Sequence, residues 1–138
     1  MTNIDLAASY LLKATSRLKI LPVLMEDENW SDVVREAQEI VELATKAILR
    51  RAGIDPPKWH DVSPIIIENL QQFPKAVQQA LRESAEISRS LAKEREQAFY
   101  GEEDSIPSER YSKEEAEQAV HEARKVVDLC RTLVAPLP

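Results

Sequence analysis

The sequence predicts an all-α protein: an up-and-down antiparallel helical bundle of four long helices plus one short helix. Three observations carry that reading. Glycine occurs only twice in 138 residues, while helix-forming Ala, Leu, Glu, Gln, Lys and Arg are plentiful, which disfavours an all-β chain and a glycine-cradled nucleotide fold. Apolar residues recur at three- and four-residue spacing over four long stretches. The connections between those stretches are short, which makes successive helices antiparallel neighbours. A chain of 138 residues, 43% hydrophobic and 30% charged, has the size and balance of one domain spanning residues 1–138.

The first helix is expected over about residues 4–25, with Ala7, Leu11, Ala14, Leu18 and Leu21 on its apolar stripe. Pro22 falls inside it and either kinks the helix or ends it early. The polar run Glu26-Asp27-Glu28-Asn29 then breaks the pattern. A second helix covers about residues 30–52, with Val33, Ala37, Ile40, Val41, Ala44, Ala47 and Ile48 on one face. Glu42 and Lys46, four apart, pair on the opposite side, and Gly53 takes the position of a left-handed cap. The stretch from Ile54 to Val62 is a loop stiffened by Pro56 and Pro57. Ser63-Pro64 caps and opens a short helix to about residue 70. Phe73-Pro74 opens a long helix to about residue 99, striped by Val77, Ala80, Leu81, Ser84, Ile87, Leu91, Arg95 and Ala98. Gly101 follows it, then a polar loop over residues 102–110. Ser112 and Glu115 form a capping box for a last helix carrying Ala116, Ala119, Val120, Ala123, Val127, Cys130 and Val134. The proline-containing tail 135–138 cannot continue that helix.

Several functions are excluded at this level. A single cysteine, Cys130, allows no internal disulfide, and two histidines do not supply a Cys/His zinc site. No metal and no cofactor are expected. No apolar run approaches ~18 residues, so no membrane span is expected. The N-terminus has no basic segment followed by an apolar one, so a cytoplasmic location is expected. Net charge is −6, unlike a general nucleic-acid coat. Yet residues 46–58 hold four bases, Lys46, Arg50, Arg51 and Lys58, against Asp55 alone, so a basic surface can exist locally. Solvated helix faces are the simpler account of this pattern.

No phosphate loop, GxGxxG, GxSxG or HExxH motif occurs. Glu36, Glu39 and Glu42 lack the Glu-x-x-His partners of a carboxylate metal centre and read as a solvated acidic face. Cys130 lies on an apolar stripe as a core thiol, and His121 reads as exposed. His60 sits between Trp59 and Asp61 in the stiff loop. Asp61 could orient its imidazole, although bonding to the following helix is the favoured role. Arg95 occupies a core-stripe position, where an unpaired guanidinium is costly. It needs a carboxylate, a carbonyl, an anionic ligand or a second subunit. Tyr100 lies five residues on, and Arg89 is on an adjoining face. An arginine, an aromatic ring and a basic neighbour can hold a phosphate and stack on a base. The pattern alone favours the alternative, an Arg–carboxylate pair inside the bundle.

Three segments are similar to known helical proteins. The run from Val34 to Leu49, VREAQEIVELATKAIL, resembles the second helix of HEPN-domain proteins. Pro56-Pro57-Lys58-Trp59-His60-Asp61-Val62 is similar to the stretch that follows it, and Arg95-Glu96-Gln97-Ala98-Phe99-Tyr100-Gly101 to the family's Arg-and-Tyr segment. The resemblance implies a small helical bundle, usually a homodimer, that binds nucleotide or RNA. It also implies a minimal nucleotidyltransferase as a toxin–antitoxin partner. It places Lys46 near Arg95 if their helices are neighbours. Many such proteins are metal-independent ribonucleases with an Arg followed, after four to six residues, by His. Here Arg95 is present but Tyr100 stands where that His is expected, so enzymatic activity is left open. His60 could substitute only if its loop folds over the cleft. The candidate catalytic residues are therefore Arg95, Tyr100 and His60, and the candidate ligand-binding residues Arg95, Tyr100, Arg89 and Lys46. The alternatives are a ribonuclease toxin with a degenerate motif and a non-catalytic interaction module. The apolar and aromatic surplus of Trp30, Trp59, Phe99 and Tyr100 also favours a twofold dimer.

Overall fold

A computed structural model describes residues 2–99, 106 and 110–134; for residues 96–99 only the backbone is described. Within them the fold is a helical bundle without strands. Its helices are α1 (Asn3–Leu18), α2 (Leu21–Glu26), α3 (Trp30–Arg51), α4 (Ser63–Glu68), α5 (Lys75–Phe99) and α6 (Lys113–Leu133), with a 3-10 turn at Leu70–Gln72. Gly101, most of the 102–110 loop and the 135–138 tail lie outside the described residues.

Local chemistry sets the helix ends. Thr2 with Asp5 and Ser112 with Glu115 form reciprocal capping boxes at the starts of α1 and α6. The C-terminus of α3 closes as a Schellman motif. Ile54 N–H donates to the Leu49 carbonyl at 2.9 Å and Gly53 N–H to that of Arg50 at 3.0 Å, with Gly53 at φ 79. The expected first helix is two. The chain turns at Lys19-Ile20, and Pro22 lies in the first turn of α2, where its missing N–H has no helical partner to lose. The bundle thus has one short helix more than expected. Ser63 is the first residue of α4 rather than its cap; the Asp61 carboxylate caps instead, accepting the Ser63 N–H at 2.9 Å.

Ion pairs and hydrogen bonds fix the up-and-down course. Arg17 near the end of α1 meets Glu36 near the start of α3 at 2.9 Å, while Arg50 at the other end of α3 meets Asn3 at 3.0 Å. Late α5 reaches early α3 through Arg95, and Glu83 of α5 pairs with Lys125 of α6 at 2.7 Å. The central helix is α3, which packs against α1, α5 and α6. Both α3, at Ala37, Ala44 and Ala47, and α6, at Ala116, Ala119 and Ala123, bury small residues, and the two helices pack together. Being covered on three sides, α3 buries more than its expected stripe: Val34 and Leu49 join the core, as do the polar Ser31, Glu36, Gln38 and Thr45. On α5 the core includes Ser84 and Ser88, and the Ser88 hydroxyl accepts the Val62 N–H at 3.3 Å, tying the proline loop to α5.

Candidate functional site

One polar row on α3 organises the site. Arg35, Gln38, Glu39, Glu42 and Lys46 follow at helical spacing and share a face. Two further side chains, a guanidinium and an imidazole, arrive from elsewhere. Arg95 stands one turn beyond buried Leu91 on α5, so the register that packs Leu91 into the core aims Arg95 at α3. His60 arrives on the proline loop, which is anchored at Asp61 and Val62.

Arg95 Nη1 donates to Glu39 Oε1 at 2.7 Å and to Gln38 Oε1. Gln38 Nε2 donates to Glu42 Oε1 at 3.0 Å, and Glu42 Oε2 accepts from Lys46 Nζ at 2.9 Å. His60 Nδ1 lies 2.7 Å from Glu42 Oε1, and Arg35 lies 3.6 Å from Glu39. The amide of Gln38 is only 2% exposed, so both of its ends are satisfied inside the protein, as a buried amide requires. Burial pushes the Glu42 carboxyl up, but hydrogen bonds from Lys46, Gln38 and His60 outweigh it and hold the group below its ordinary value of 4.5. Glu42 is therefore ionised at neutral pH. Three permanent cations surround the two carboxylates: Arg95 at 2.7 Å and Arg35 at 3.6 Å from Glu39, and Lys46 at 2.9 Å from Glu42.

Arg95, Lys46 and His60 are thus brought into one hydrogen-bonded group. Arg89 is not in it: it lines a separate cleft of about 500 Å³ between α4 and α5, with Asp61, Ile67 and Glu86 among its walls. Tyr100 lies outside the described residues. Several expectations are corrected. Glu36, Glu39 and Glu42 do not form a solvated acidic face; each is at least partly buried and bonded to a side chain from another element, Arg17, Arg95 and His60 respectively. The Glu42–Lys46 pair forms as expected, but both side chains are mostly buried rather than on an open surface. His60 bonds to α3 instead of to the helix that follows it, and Asp61 is occupied by Ser63. Trp59 is 60% exposed, and Cys130 is fully buried, with burial pushing its thiol up to about 12. Gln38 and Glu39 were the site residues hardest to find, because their partner lies 57 and 56 residues away.

The family model for the HEPN domain matches residues 7–133, from the second turn of α1 to the end of α6. The chain belongs to the HEPN domain family. Comparison with curated proteins and with solved structures finds no match. Within this HEPN bundle, the described residues contain no group of three or more His, Cys, Asp or Glu side chains able to hold a metal ion. No helix among them is long and apolar enough to cross a membrane.

Proposed function

We propose that this HEPN-domain protein binds a phosphate-bearing ligand, a nucleotide or RNA, through Arg95 and Lys46, with His60 beside them and Tyr100, five residues after Arg95 in sequence, as the candidate for base stacking. The observation that carries this reading is the gathering of Arg95, Lys46 and His60, from α5, α3 and the proline loop, into one hydrogen-bonded group. A phosphate gains charge-assisted hydrogen bonds of roughly 1.5–3 kcal/mol each, and stacking on an aromatic ring adds about 1–3 kcal/mol. Ordering and competing ion pairs take back much of that, which leaves micromolar binding at best. Calorimetric titration with ATP, GTP and a short RNA tests it. The expected result is weak, salt-sensitive binding that is lost in Arg95→Ala and reduced in Tyr100→Ala. Absence of binding below millimolar would leave a non-catalytic interaction module.

The protein acts, in this reading, as a homodimer alongside a minimal nucleotidyltransferase in a toxin–antitoxin-type pair. The exposed Trp59 supports self-association, and a monomer by light scattering at tens of micromolar would rule it out. One observation favours a second reading, a metal-independent ribonuclease: a carboxylate, Glu42, holds His60 through Nδ1, the arrangement that orients an imidazole for proton transfer. Because Tyr100 replaces the expected histidine, no cleavage of generic single-stranded RNA is expected in chelator. Robust cleavage that Arg95→Ala abolishes would establish the ribonuclease instead.

A further inference from the structure

Each cation of the group already has an anion. Arg95 holds Glu39, while Glu42 divides its carboxylate between Lys46 on Oε2 and His60 on Oε1. Glu39 and Glu42 are three residues apart on one helix, so their Cβ atoms stand about 5–6 Å apart on the same face. Gln38 lies between the two pairs, accepting from Arg95 and donating to Glu42, and its burial fixes their spacing. The two carboxylates are less confined: their side chains are 24% and 17% exposed, so each can rotate outward while Gln38 stays. A carboxylate and a phosphate offer a guanidinium or ammonium the same kind of acceptor oxygens.

We propose that Glu39 and Glu42 are the resident anions of a two-point phosphate site, and that a ligand carrying two linked phosphate groups binds by displacing them. One phosphate takes Arg95 from Glu39; the other takes Lys46 and His60 from Glu42. The proposal rests on the phosphate-binding reading above and adds to it a ligand class and a competition. A single phosphate reaches one point only and leaves the other carboxylate in place. Two linked phosphates, whether of a nucleoside diphosphate or of an RNA backbone, engage both points.

The test is calorimetric titration of ADP, AMP and a short oligoribonucleotide into wild type, Glu39→Gln, Glu42→Gln, Arg95→Ala and a charge-matched control, Glu83→Gln. Glu83 pairs with Lys125 and lies twelve residues before Arg95 on α5, ~18 Å along the helix. Circular dichroism confirms which variants are folded, and either glutamine variant of α3 suffices for the test. ADP should bind wild type more tightly than AMP. Glu39→Gln and Glu42→Gln should each tighten ADP about tenfold, while Glu83→Gln leaves it unchanged. Tightening seen with the oligoribonucleotide but not with ADP supports the same site with an RNA backbone as its ligand. Equal tightening by all three glutamine variants would show a net-charge effect and overturn the proposal. No tightening in either α3 variant, with wild-type binding still dependent on Arg95, would overturn the displacement but keep the phosphate-binding reading. No binding by any variant would overturn both.

Discussion

Arg95→Ala should lower stability as well as binding, and the structure indicates by how much. Removing the guanidinium breaks two contacts with unequal consequences. Glu39 is about a quarter exposed and keeps Arg35 nearby, so water and the remaining cation compensate most of its loss. Gln38 is 2% exposed, and its Oε1 loses its donor. A buried acceptor left without a partner costs about 1–3 kcal/mol, and the better helix propensity of alanine returns only a few tenths. The net expectation is about 2 kcal/mol, or about 7 °C in Tm for a chain of this length. Urea unfolding of wild type, Arg95→Ala, Gln38→Leu and the double variant would measure it. If Gln38 is what Arg95 satisfies, the arginine deletion costs less in the Gln38→Leu background, with a coupling of about 1 kcal/mol. A Tm for Arg95→Ala within about 1 °C of wild type, or additive single variants, would refute the reasoning.

Glu42 titrates below its ordinary 4.5, so its stabilisation is fully present above that value and is lost as pH falls through the lower folded one. Glu42→Gln should therefore flatten the acid limb of a stability–pH curve, and an unchanged limb would contradict this. Cys130, buried with its thiol pushed up to about 12, should resist Ellman's reagent in the native protein and react on unfolding; rapid native labelling would show the helix is open there. At Gly53, φ is 79 and an added Cβ meets nothing within 4 Å. Gly53→Ala should then cost only backbone strain of about 1 kcal/mol, read as a lower thermal midpoint with the fold retained.

The long helices were legible because each one carries its information locally. Apolar residues repeat within a few positions, and the ends are marked by Gly53, Pro74 and the Ser112–Glu115 box. The turn at Lys19-Ile20 was not, since Pro22 suits a kink and a first turn equally well. The polar row of α3 was half legible. Glu42 and Lys46 are one turn apart and declare their pairing in sequence. Glu36, Gln38 and Glu39 look like an ordinary wet face until Arg17 and Arg95 arrive from 19 to 57 residues away. Helical periodicity marks which residues share a face, but not how many other helices cover it. For a central helix the polar residues become interior ones, and that depends on packing that no local pattern encodes. Ser88 was missed for the same reason: its partner is the Val62 N–H, 26 residues back.

The central position of α3 also has a consequence for the order in which the chain is made. The side of α3 that α6 covers is complete as soon as Arg51 has been synthesised, but its cover ends 82 residues later at Leu133 (133 − 51). At typical elongation rates of about 5–20 residues per second, that leaves an uncovered apolar side for about 4–16 s on every nascent chain. During that interval α1 can pack against α3, yet neither closes the core. Until then the apolar residues that α3 buries in the finished bundle, Val33, Ile40, Val41 and Ile48 among them, have only the helices already made to cover them.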